Sequence, residues 1–263
     1  MAHGAMAHGA MAHGAMARKA MAHGAVAHGA LAIRPDFGHP WDVSPAEAIA
    51  IQRELRDRVS IVPLDRQPQV IAGVDVSVKG GQARAAVVLL SYPDLTPFQA
   101  TTAERPVSFP YVPGLLAFRE GPVVLAALAQ LDGLPDVVMF DAQGLAHPRR
   151  VGLATHLGVL LDVPAVGCAK SRLCGKHEEP GEKKGCWTPL VDGDEVIGAV
   201  VRTRDRVRPV FVSIGHRVDL ESSVSLVLAC AARYRLPEPT RWAHRVAGGE
   251  SLGRKSHPSV RPI

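Results

Sequence analysis

Apolar and polar positions in the first half of the chain predict one helix followed by three strands. Residues 44–47 (SPAE) have the form of a capping box with proline at the first helical position, and apolar residues at helical spacing continue to about Asp57. Runs rich in β-branched residues then predict strands over residues 69–78, 83–92 and 98–107. The short KGGQ segment between the first two strands fits a hairpin loop.

Helices alternate with short buried strands in the pattern of the second half. The expected helices run from Pro122 to about Gly133, from Pro148 to about Leu161, over residues 219–235, and briefly after Pro239. The expected strands cover residues 136–141, 164–170, 195–204 and 208–214, the last two as a hairpin. The polar, glycine-rich residues 171–187 are expected to form a loop.

This order of elements predicts an α/β fold with a single domain. Three hairpin-linked strands followed by βα units imply a mixed sheet with helices packed on its faces. That is the ribonuclease H-like arrangement, in which the first strand lies centrally, next to the strand after the first helix. The folded domain is expected to span residues 36–250, followed by a C-terminal tail at residues 251–263.

The N-terminal segment at residues 1–30 is a low-complexity repeat. It consists of six five-residue units of the MAHGA type and contains five of the 12 histidines. A five-residue period does not match the helical turn, so the histidines would spiral around a helix rather than line one face. We expect a disordered or weakly helical tail, and we favour a translated repeat upstream of the true start over adventitious metal binding by the spaced histidines.

Composition places the chain among globular proteins with a large core. Hydrophobic residues make up 47% and charged residues 21%, which excludes wholesale disorder, and no apolar run approaches the roughly 18 residues of a membrane span. The net charge of +5 permits a polyanionic partner without requiring one. The four cysteines are expected to be reduced thiols of a cytoplasmic protein. A weaker alternative is a zinc site, with a spacing that fits no common pattern, built from Cys168, Cys174, His177 and Cys186.

Three carboxylates occupy positions that favour binding of a divalent metal. Asp75 lies inside an apolar strand, where a carboxylate is costly unless it is paired or bound to metal. Asp141 closes a buried strand, and Glu120 directly precedes Gly121-Pro122 at a predicted helix start. If the first and fourth strands are neighbours, the three converge at one sheet edge, where hard oxygen ligands suit Mg²⁺ or Mn²⁺. The alternative is that Asp75 pairs with an arginine, Asp141 caps a turn and Glu120 is a solvated surface residue.

Basic residues cluster around the helix start predicted at Pro148. The proline and the following Arg149 and Arg150 predict a positive helix N-terminus, which suits a phosphate. His147 can bind metal or handle a proton, and Lys170 at the end of a buried strand can reach a phosphate oxygen near the metal. The alternatives are a solvated basic surface for the arginines, a cap or core hydrogen bond for His147, and an ordinary salt bridge for Lys170.

The FPYVPG loop at residues 109–114 holds an aromatic side chain on a stiff backbone. Tyr111 lies between prolines, and Gly114 leaves accessible backbone beyond it. A rigid aromatic can stack in a gap in a duplex, and exposed backbone can read a base edge. The alternative is a tyrosine packed on the sheet, and spacing alone does not decide between the two. His156 falls nearly opposite the metal-facing side of its predicted helix, so spacing alone makes it structural.

These segments together resemble the endonuclease V family of deoxyinosine-specific nucleases. The shared motifs occur in order over about residues 45–248 and read IAGVDVS, FPYVPGLLAFRE, DAQGLAHPRRVGLATHLGV, VGCAK, GHRVDLESSV and YRLPEPTRWAH. The resemblance implies the ribonuclease H-like fold and Mg²⁺-dependent hydrolysis, with Mn²⁺ able to substitute. It also implies an enzyme that binds DNA containing deoxyinosine and cuts one nucleotide to the 3′ side of hypoxanthine, leaving 3′-hydroxyl and 5′-phosphate ends. Separately, we expect a monomer.

Roles for individual residues follow from the same resemblance. The implied metal-binding residues are Asp75, Glu120 and Asp141, and the further residues associated with catalysis are His147 and Lys170. Tyr111 matches a wedge that fills the space left by a displaced base, and backbone groups around Gly114 would read hypoxanthine. The implied substrate-binding residues are Tyr111, Pro113, Gly114, Arg119, Gly144, Arg149, Arg150 and His156. His216 lies in a family-like motif without an assigned role.

Two positions depart from the family pattern. The family usually has glycine after the motif aspartate, and the methyl group of Ala142 could crowd the pocket or demand a different backbone angle. The RWA stretch often ends in aspartate, where this chain has His244, to which the sequence attaches no function. Because the implied metal ligands are all present, we expect an active enzyme.

Three functions therefore stay open on the sequence. The leading hypothesis is a metal-dependent repair endonuclease that acts on deaminated adenine in DNA. The second keeps the same chemistry on inosine-containing RNA or single strands, and the third is a non-catalytic inosine-binding protein, motivated by Ala142. A different ribonuclease H-like enzyme, such as a junction resolvase, would leave the PYVPG and HPRR motifs without a purpose.

Overall fold

An eight-stranded mixed sheet forms the centre of the structure, a computed structural model that describes residues 38–131 and 133–252. The predicted tail at residues 1–30 lies outside the described residues, as does most of the predicted tail at 251–263. The strands are β1 (Val70–Lys79), β2 (Gln82–Ser91), β3 (Pro97–Pro106), β4 (Val137–Phe140), β5 (Ala165–Ala169), β6 (Trp187–Asp192), β7 (Glu195–Val201) and β8 (Val210–His216).

The first strand lies well inside the sheet. The strand order is β3-β2-β1-β4-β5-β8-β7-β6, with β1 antiparallel to β2 and parallel to β4. β4 and β5 are also parallel, and the outer pairs are antiparallel. This topology confirms the ribonuclease H-like arrangement that the order of elements predicts.

Five helices occur in the described part of the chain, and none of them is long and apolar enough to cross a membrane. They are α1 (Pro45–Arg56), α2 (Leu116–Leu128), α3 (Leu153–Leu161), α4 (Leu220–Cys230) and α5 (Glu238–Ala247). Alternate residues of the central strands contribute to two separate apolar clusters, one containing residues of α2 and α3 and the other residues of α4. The sheet is therefore buried on both faces, as expected for parallel strands.

The start of α1 confirms the predicted capping box. The Ser44 hydroxyl accepts from the Glu47 backbone N–H at 3.3 Å, and the Glu47 carboxylate accepts from the Ser44 backbone N–H at 2.8 Å. Each group satisfies a backbone donor that the first helical turn leaves without a partner. This cap fixes the direction of α1, whose inner face carries Gln52 and Leu55 into the protein.

Two predicted helix starts were wrong. α2 begins at Leu116, so Pro122 lies inside the helix and not at its first position. A proline there removes one backbone hydrogen bond, but the buried Phe118 and Val123 anchor the helix on both sides of it. α3 begins at Leu153 and not at Pro148, because Arg150 adopts a left-handed backbone conformation (φ 61°) that a right-handed helix cannot include.

Three further boundaries differ from the prediction. α4 ends at Cys230, five residues before the predicted end at 235, and α5 begins just before Pro239. β6 was not predicted. The polar and glycine-rich composition of residues 171–187 indicated a loop, and that loop ends at Trp187, the first residue of β6. The remaining predicted strands are confirmed to within a few residues.

The close approach of α5 to the central strand depends on a glycine. A Cβ atom placed on Gly73 would lie 1.9 Å from the carbonyl oxygen of Pro239, a distance at which no side chain fits. The absence of a side chain on β1 thus lets the first turn of α5 rest on the strand. This contact lays α5 along β1 and brings His244 close to Asp75 in the middle of that strand.

Candidate metal centre and nucleobase pocket

Asp75 and Asp141 are neighbours because they follow paired positions on two parallel strands. Val74 of β1 is in register with Phe140 of β4, and the backbone N–H of Asp141 donates to the carbonyl of Val74 at 3.0 Å. The next residue in each case is an aspartate: Asp75 lies within β1 and Asp141 directly follows β4, so both carboxylates lie side by side at the edge of the sheet where β4 ends. This placement confirms the expectation that the first and fourth strands are neighbours.

His244 on α5 completes a group of three possible metal ligands. Its Nδ1 lies 2.7 Å from Oδ2 of Asp75, and one ligand atom from each of Asp75, Asp141 and His244 falls within 4.8 Å of the others. Lys170, which follows β5, forms an ion pair with the Asp141 carboxylate. The structure therefore joins three of the expected residues with a fourth to which the sequence attached no function.

The acidic side chains of this edge are held in an unfavourable electrostatic environment. Burial raises the pKa of Asp75, and the charge of Asp141 raises it further, against the opposing effect of His244. Burial raises the pKa of Glu120 to about 7, with an added contribution from Asp75, while Arg119 acts in the opposite direction. The negative charges of Asp75 and Asp141 thus both raise the pKa of Glu120, although it is not one of the three grouped ligands.

A divalent cation would relieve this environment. Burial and like charge both penalise ionised carboxylates, and a bound cation removes both penalties at once. Two carboxylates and an imidazole are a donor set that divalent metals accept. The residues at this edge therefore fit a divalent ion, held by Asp75, Asp141 and His244 with Glu120 nearby.

His147 makes contacts that differ from the expected metal or proton-transfer role. Its Nε2 lies 2.9 Å from the carbonyl oxygen of Gly114, and its Nδ1 accepts from the backbone N–H of Arg149 at 3.1 Å. Since a carbonyl can only accept, the proton of the neutral ring is on Nε2. Burial lowers the pKa of His147 to about 4, with Arg149 contributing in the same direction. The imidazole is therefore neutral and occupied by backbone groups at both nitrogens.

The FPYVPG loop ends in a tight turn with an exposed aromatic beside it. The backbone N–H of Leu115 donates to the carbonyl of Val112 at 2.9 Å, and Gly114 has φ 80°. Pro113 and Gly114 are the residues that a type II turn requires at its two central positions. Tyr111 is 74% exposed, which is contrary to the alternative of a tyrosine packed on the sheet.

A cavity of about 220 Å³ lies between this turn and the segment that follows β4. Its lining residues include Tyr111, Pro113, Gly114, Ala142, His147, Ser171 and Leu173. Ala142 is not among the described residues with positive φ, so its backbone pays no conformational penalty for the missing glycine. Ala142 lines the cavity, and crowding by its methyl group stays a prediction.

The remaining predicted residues divide between the cavity and the scaffold. Arg149 donates from Nη2 to the carbonyl of Gly114 at 2.7 Å, and Arg119 donates to the carbonyl of Phe109 at 3.0 Å, so both brace the FPYVPG loop. Arg150 pairs with Asp192 at 3.0 Å and Glu195 at 2.7 Å. The helix start predicted at Pro148 is not formed, and the Arg150 guanidinium is instead paired with these two carboxylates.

Gly144 and His156 lie behind the cavity. Gly144 packs against β8, and a Cβ there would come within 2.0 Å of the carbonyl oxygen of Ile214. His156 is fully buried, stacks on Trp41 with ring centroids 5.3 Å apart, and lies 2.6 Å from His39 between Nε2 atoms. Both residues are buried and absent from the residues that line the cavity, and their predicted contact with substrate stays a prediction.

The cysteines do not form the alternative zinc site. All four are free; Cys168 is buried in β5, whereas Cys186 is exposed. Cys168, Cys174, His177 and Cys186 are all described, and they are not grouped as possible ligands of one ion.

His244 is the site residue that sequence reasoning missed. Its signal was available as a substitution: a metal-binding residue type stands where the family pattern often has aspartate. Its partner Asp75 is 169 residues away in the chain, so no local pattern could have joined them.

Comparisons with known proteins agree with this geometry. The sequence profile of the family described as Endonuclease V matches residues 53–245. Endonuclease V of Roseiflexus sp. (strain RS-1) is 53% identical over 211 residues, which cover 80% of this chain and 95% of that protein. The crystal structure of endonuclease V from Streptomyces avermitilis matches with a TM-score of 0.76 at 42% identity, covering 84% of this chain and 96% of that one.

A third match includes nucleic acid. Ciona intestinalis endonuclease V, solved with a 24mer DNA containing an inosine followed by a ribo-adenosine, matches with a TM-score of 0.66 at 28% identity. The match covers 77% of this chain and 95% of the Ciona chain.

Proposed function

The chain belongs to the endonuclease V family, and from this membership we propose that it is a metal-dependent repair endonuclease for deoxyinosine in DNA. It would hydrolyse the phosphodiester one nucleotide to the 3′ side of hypoxanthine, leaving 3′-hydroxyl and 5′-phosphate ends. The observation that carries the proposal is the juxtaposition of two sites on one segment. Asp141 belongs to the grouped metal ligands, and the adjacent Ala142 lines the cavity beside Tyr111.

Asp75, Asp141 and His244 would hold the cation, for which we propose Mg²⁺ with Mn²⁺ as a substitute. When bound, such an ion orients and activates a water and stabilises charge on the leaving oxygen. Lys170 keeps its ammonium beside Asp141, where it can also meet a phosphate oxygen. Burial and the charge of Asp75 raise the pKa of Glu120 to about 7, and a bound cation would favour its ionised form.

The cavity would receive the flipped base. Tyr111, exposed and carried on a proline-stiffened loop, would fill the gap left in the duplex. Pro113 and Gly114 present backbone at the cavity wall, and the described residues offer no acceptor to the Gly114 N–H. A backbone donor suits the 6-oxo group of hypoxanthine, whereas adenine offers an amino group at that position.

A nicking assay tests this proposal. A duplex with a single deoxyinosine should be cut at one mapped position in the presence of Mg²⁺, and the same duplex with adenine should stay intact. Asp141→Ala should abolish the cut while binding is retained. Asp194→Asn, in the exposed turn between β6 and β7, is the matched control and should cut normally. Binding of the deoxyinosine duplex without any cation-dependent cut would support a non-catalytic inosine-binding protein instead.

Inosine-containing RNA remains the second candidate substrate. The Ciona relative was solved with a strand whose inosine is followed by a ribonucleotide. Matched DNA and RNA strands, each with one inosine, should be compared at equal enzyme concentration. Faster cleavage of the RNA strand would reassign the substrate while leaving the metal chemistry in place.

A further inference from the structure

We propose that Gln52 is a positioning residue for base recognition, which acts through the Gly114 peptide of the cavity wall. This inference rests on the proposed function, because it concerns how the cavity selects its base. Gln52 belongs to α1, far in sequence from the motifs of the site, and it does not need to touch the base. Its role is to hold the Gly114–Leu115 peptide by its carbonyl, and thereby to fix the turn whose preceding peptide, Pro113–Gly114, carries the Gly114 N–H.

Both donor positions of the Gln52 amide and one acceptor position of its oxygen are used. Its Nε2 donates to the carbonyl oxygens of Gly114 and Val151, each at 3.0 Å, and its Oε1 accepts from Nε of Arg149 at 2.5 Å. The two carbonyls can only accept and the guanidinium can only donate, so only one orientation of the amide satisfies all three. At 1% exposure, this polar side chain has no water to substitute for a lost partner.

The Gly114 carbonyl oxygen receives three donors. They are Nε2 of Gln52 at 3.0 Å, Nε2 of His147 at 2.9 Å and Nη2 of Arg149 at 2.7 Å. A carbonyl has two lone pairs, so this oxygen is saturated and unavailable to a ligand. The Gly114 N–H belongs to the neighbouring Pro113–Gly114 peptide, and the described residues provide no acceptor for it. Because Gly114 lines the cavity, this N–H is the polar group that we infer the turn offers to a base.

Gln52 also joins the two walls of the cavity. Gly114 belongs to the FPYVPG loop on one side, and Arg149 and Val151 belong to the segment before α3 on the other. Removing the amide would leave the Val151 carbonyl and the Nε of Arg149 without partners and weaken the hold on the turn. A looser turn would present its N–H less consistently, and selection between a 6-oxo and a 6-amino purine would decline.

The test measures selectivity directly and does not depend on cleavage. Dissociation constants are measured for a deoxyinosine duplex and the same duplex with adenine, with Ca²⁺ in place of Mg²⁺. Gln52→Leu should reduce the inosine-over-adenine preference by about tenfold or more, the loss expected for a buried polar contact. Affinity for the adenine duplex, which makes no use of the cavity, should stay close to that of the wild type.

Two further variants make the result interpretable. Gln52→Glu keeps the side-chain volume and the Arg149 contact but replaces the donor that faces Gly114, so it should also lose selectivity even if Gln52→Leu fails to fold. Leu55→Ala opens the core on the same helix without touching the turn, so it should lower the unfolding midpoint and keep the preference.

Each outcome has a separate meaning. A preference retained by both Gln52 variants, or lost equally by Leu55→Ala, would overturn the positioning role and leave the proposed function intact. A wild-type protein without any inosine preference would overturn the proposed function itself.

Discussion

Glu120→Gln is expected to stabilise the cation-free protein at alkaline pH, although it removes a residue of the proposed metal centre. Glu120 has a pKa of about 7 in the folded protein, against a usual value of 4.5, chiefly because of burial and then because of Asp75. Above neutral pH, folding therefore confines a carboxylate that water would solvate better. Glutamine has the same shape and no charge, so it removes that penalty.

The sign and size of the effect follow from proton linkage. A raised folded-state pKa means that the folded protein binds the proton more tightly than the unfolded chain, so stability is lost as pH rises from 4.5 through 7. A displacement of about 2.5 pH units at about 1.4 kcal/mol each gives about 3 kcal/mol at pH 8 and almost nothing at pH 4.5. Neutral buried histidines lose stability in acid, but they are common to both proteins and cancel in the difference.

Urea unfolding in EDTA at pH 4.5 and pH 8 measures this difference. The variant should exceed the wild type by about 2–3 kcal/mol at pH 8 and match it at pH 4.5. Glu178→Gln, an exposed carboxylate on the opposite part of the sheet, should change neither value by more than about 0.5 kcal/mol. An equal gain at both pH values, or none at pH 8, would refute the electrostatic account of Glu120.

Four other substitutions, at three residues, test separate parts of the site. His244→Ala should raise the Mn²⁺ concentration for half-maximal nicking by about tenfold or more. His244→Asp should restore activity and shift the metal preference toward Mg²⁺, because a carboxylate is a harder ligand than an imidazole. Tyr111→Ala should weaken binding of the deoxyinosine duplex by about 1–3 kcal/mol of lost stacking and leave the unfolding midpoint unchanged, since this residue is mostly exposed. Ala142→Gly should cost about 0.5–1 kcal/mol in urea unfolding, because its φ is not positive; a stabilised variant would mean that the methyl group strains the cavity.

Local chemistry explains which elements the sequence could predict. The capping box at Ser44 and the β-branched strands β1 and β2 are signals carried by a few adjacent residues, and the structure confirms them. Pro122 and Pro148 gave the same local signal of a helix start and were misleading. At Pro122 buried apolar residues on both sides extend the helix through the proline, and at Pro148 the left-handed Arg150 interrupts it. In both cases tertiary packing outweighs the local preference.

The site residues likewise divide into those that the sequence could place and those that depend on tertiary packing. Asp75 and Asp141 could be placed together because strand pairing turns two sequence positions into neighbours. His244 reaches Asp75 only because Gly73 lets α5 lie against β1, a contact that no spacing in the sequence encodes. His147 has the residue type of a proton carrier, and in the structure its two ring nitrogens contact backbone groups of Gly114 and Arg149, so its catalytic role stays a prediction.

One stretch of backbone, residues 141–149, joins the metal centre to the nucleobase cavity. Asp141 belongs to the ligand group at one end, and Arg149 holds the Gly114 carbonyl at the other. Between them the Gly144 N–H donates to Ser213 Oγ at 2.8 Å, and its backbone packs so closely on β8 that no side chain fits. This explains why a residue that does not line the cavity still belongs to the motif. If the proposed function holds, a link of fixed length would place the reacting phosphodiester at one offset from the base, and cleavage at a single position is the expected consequence.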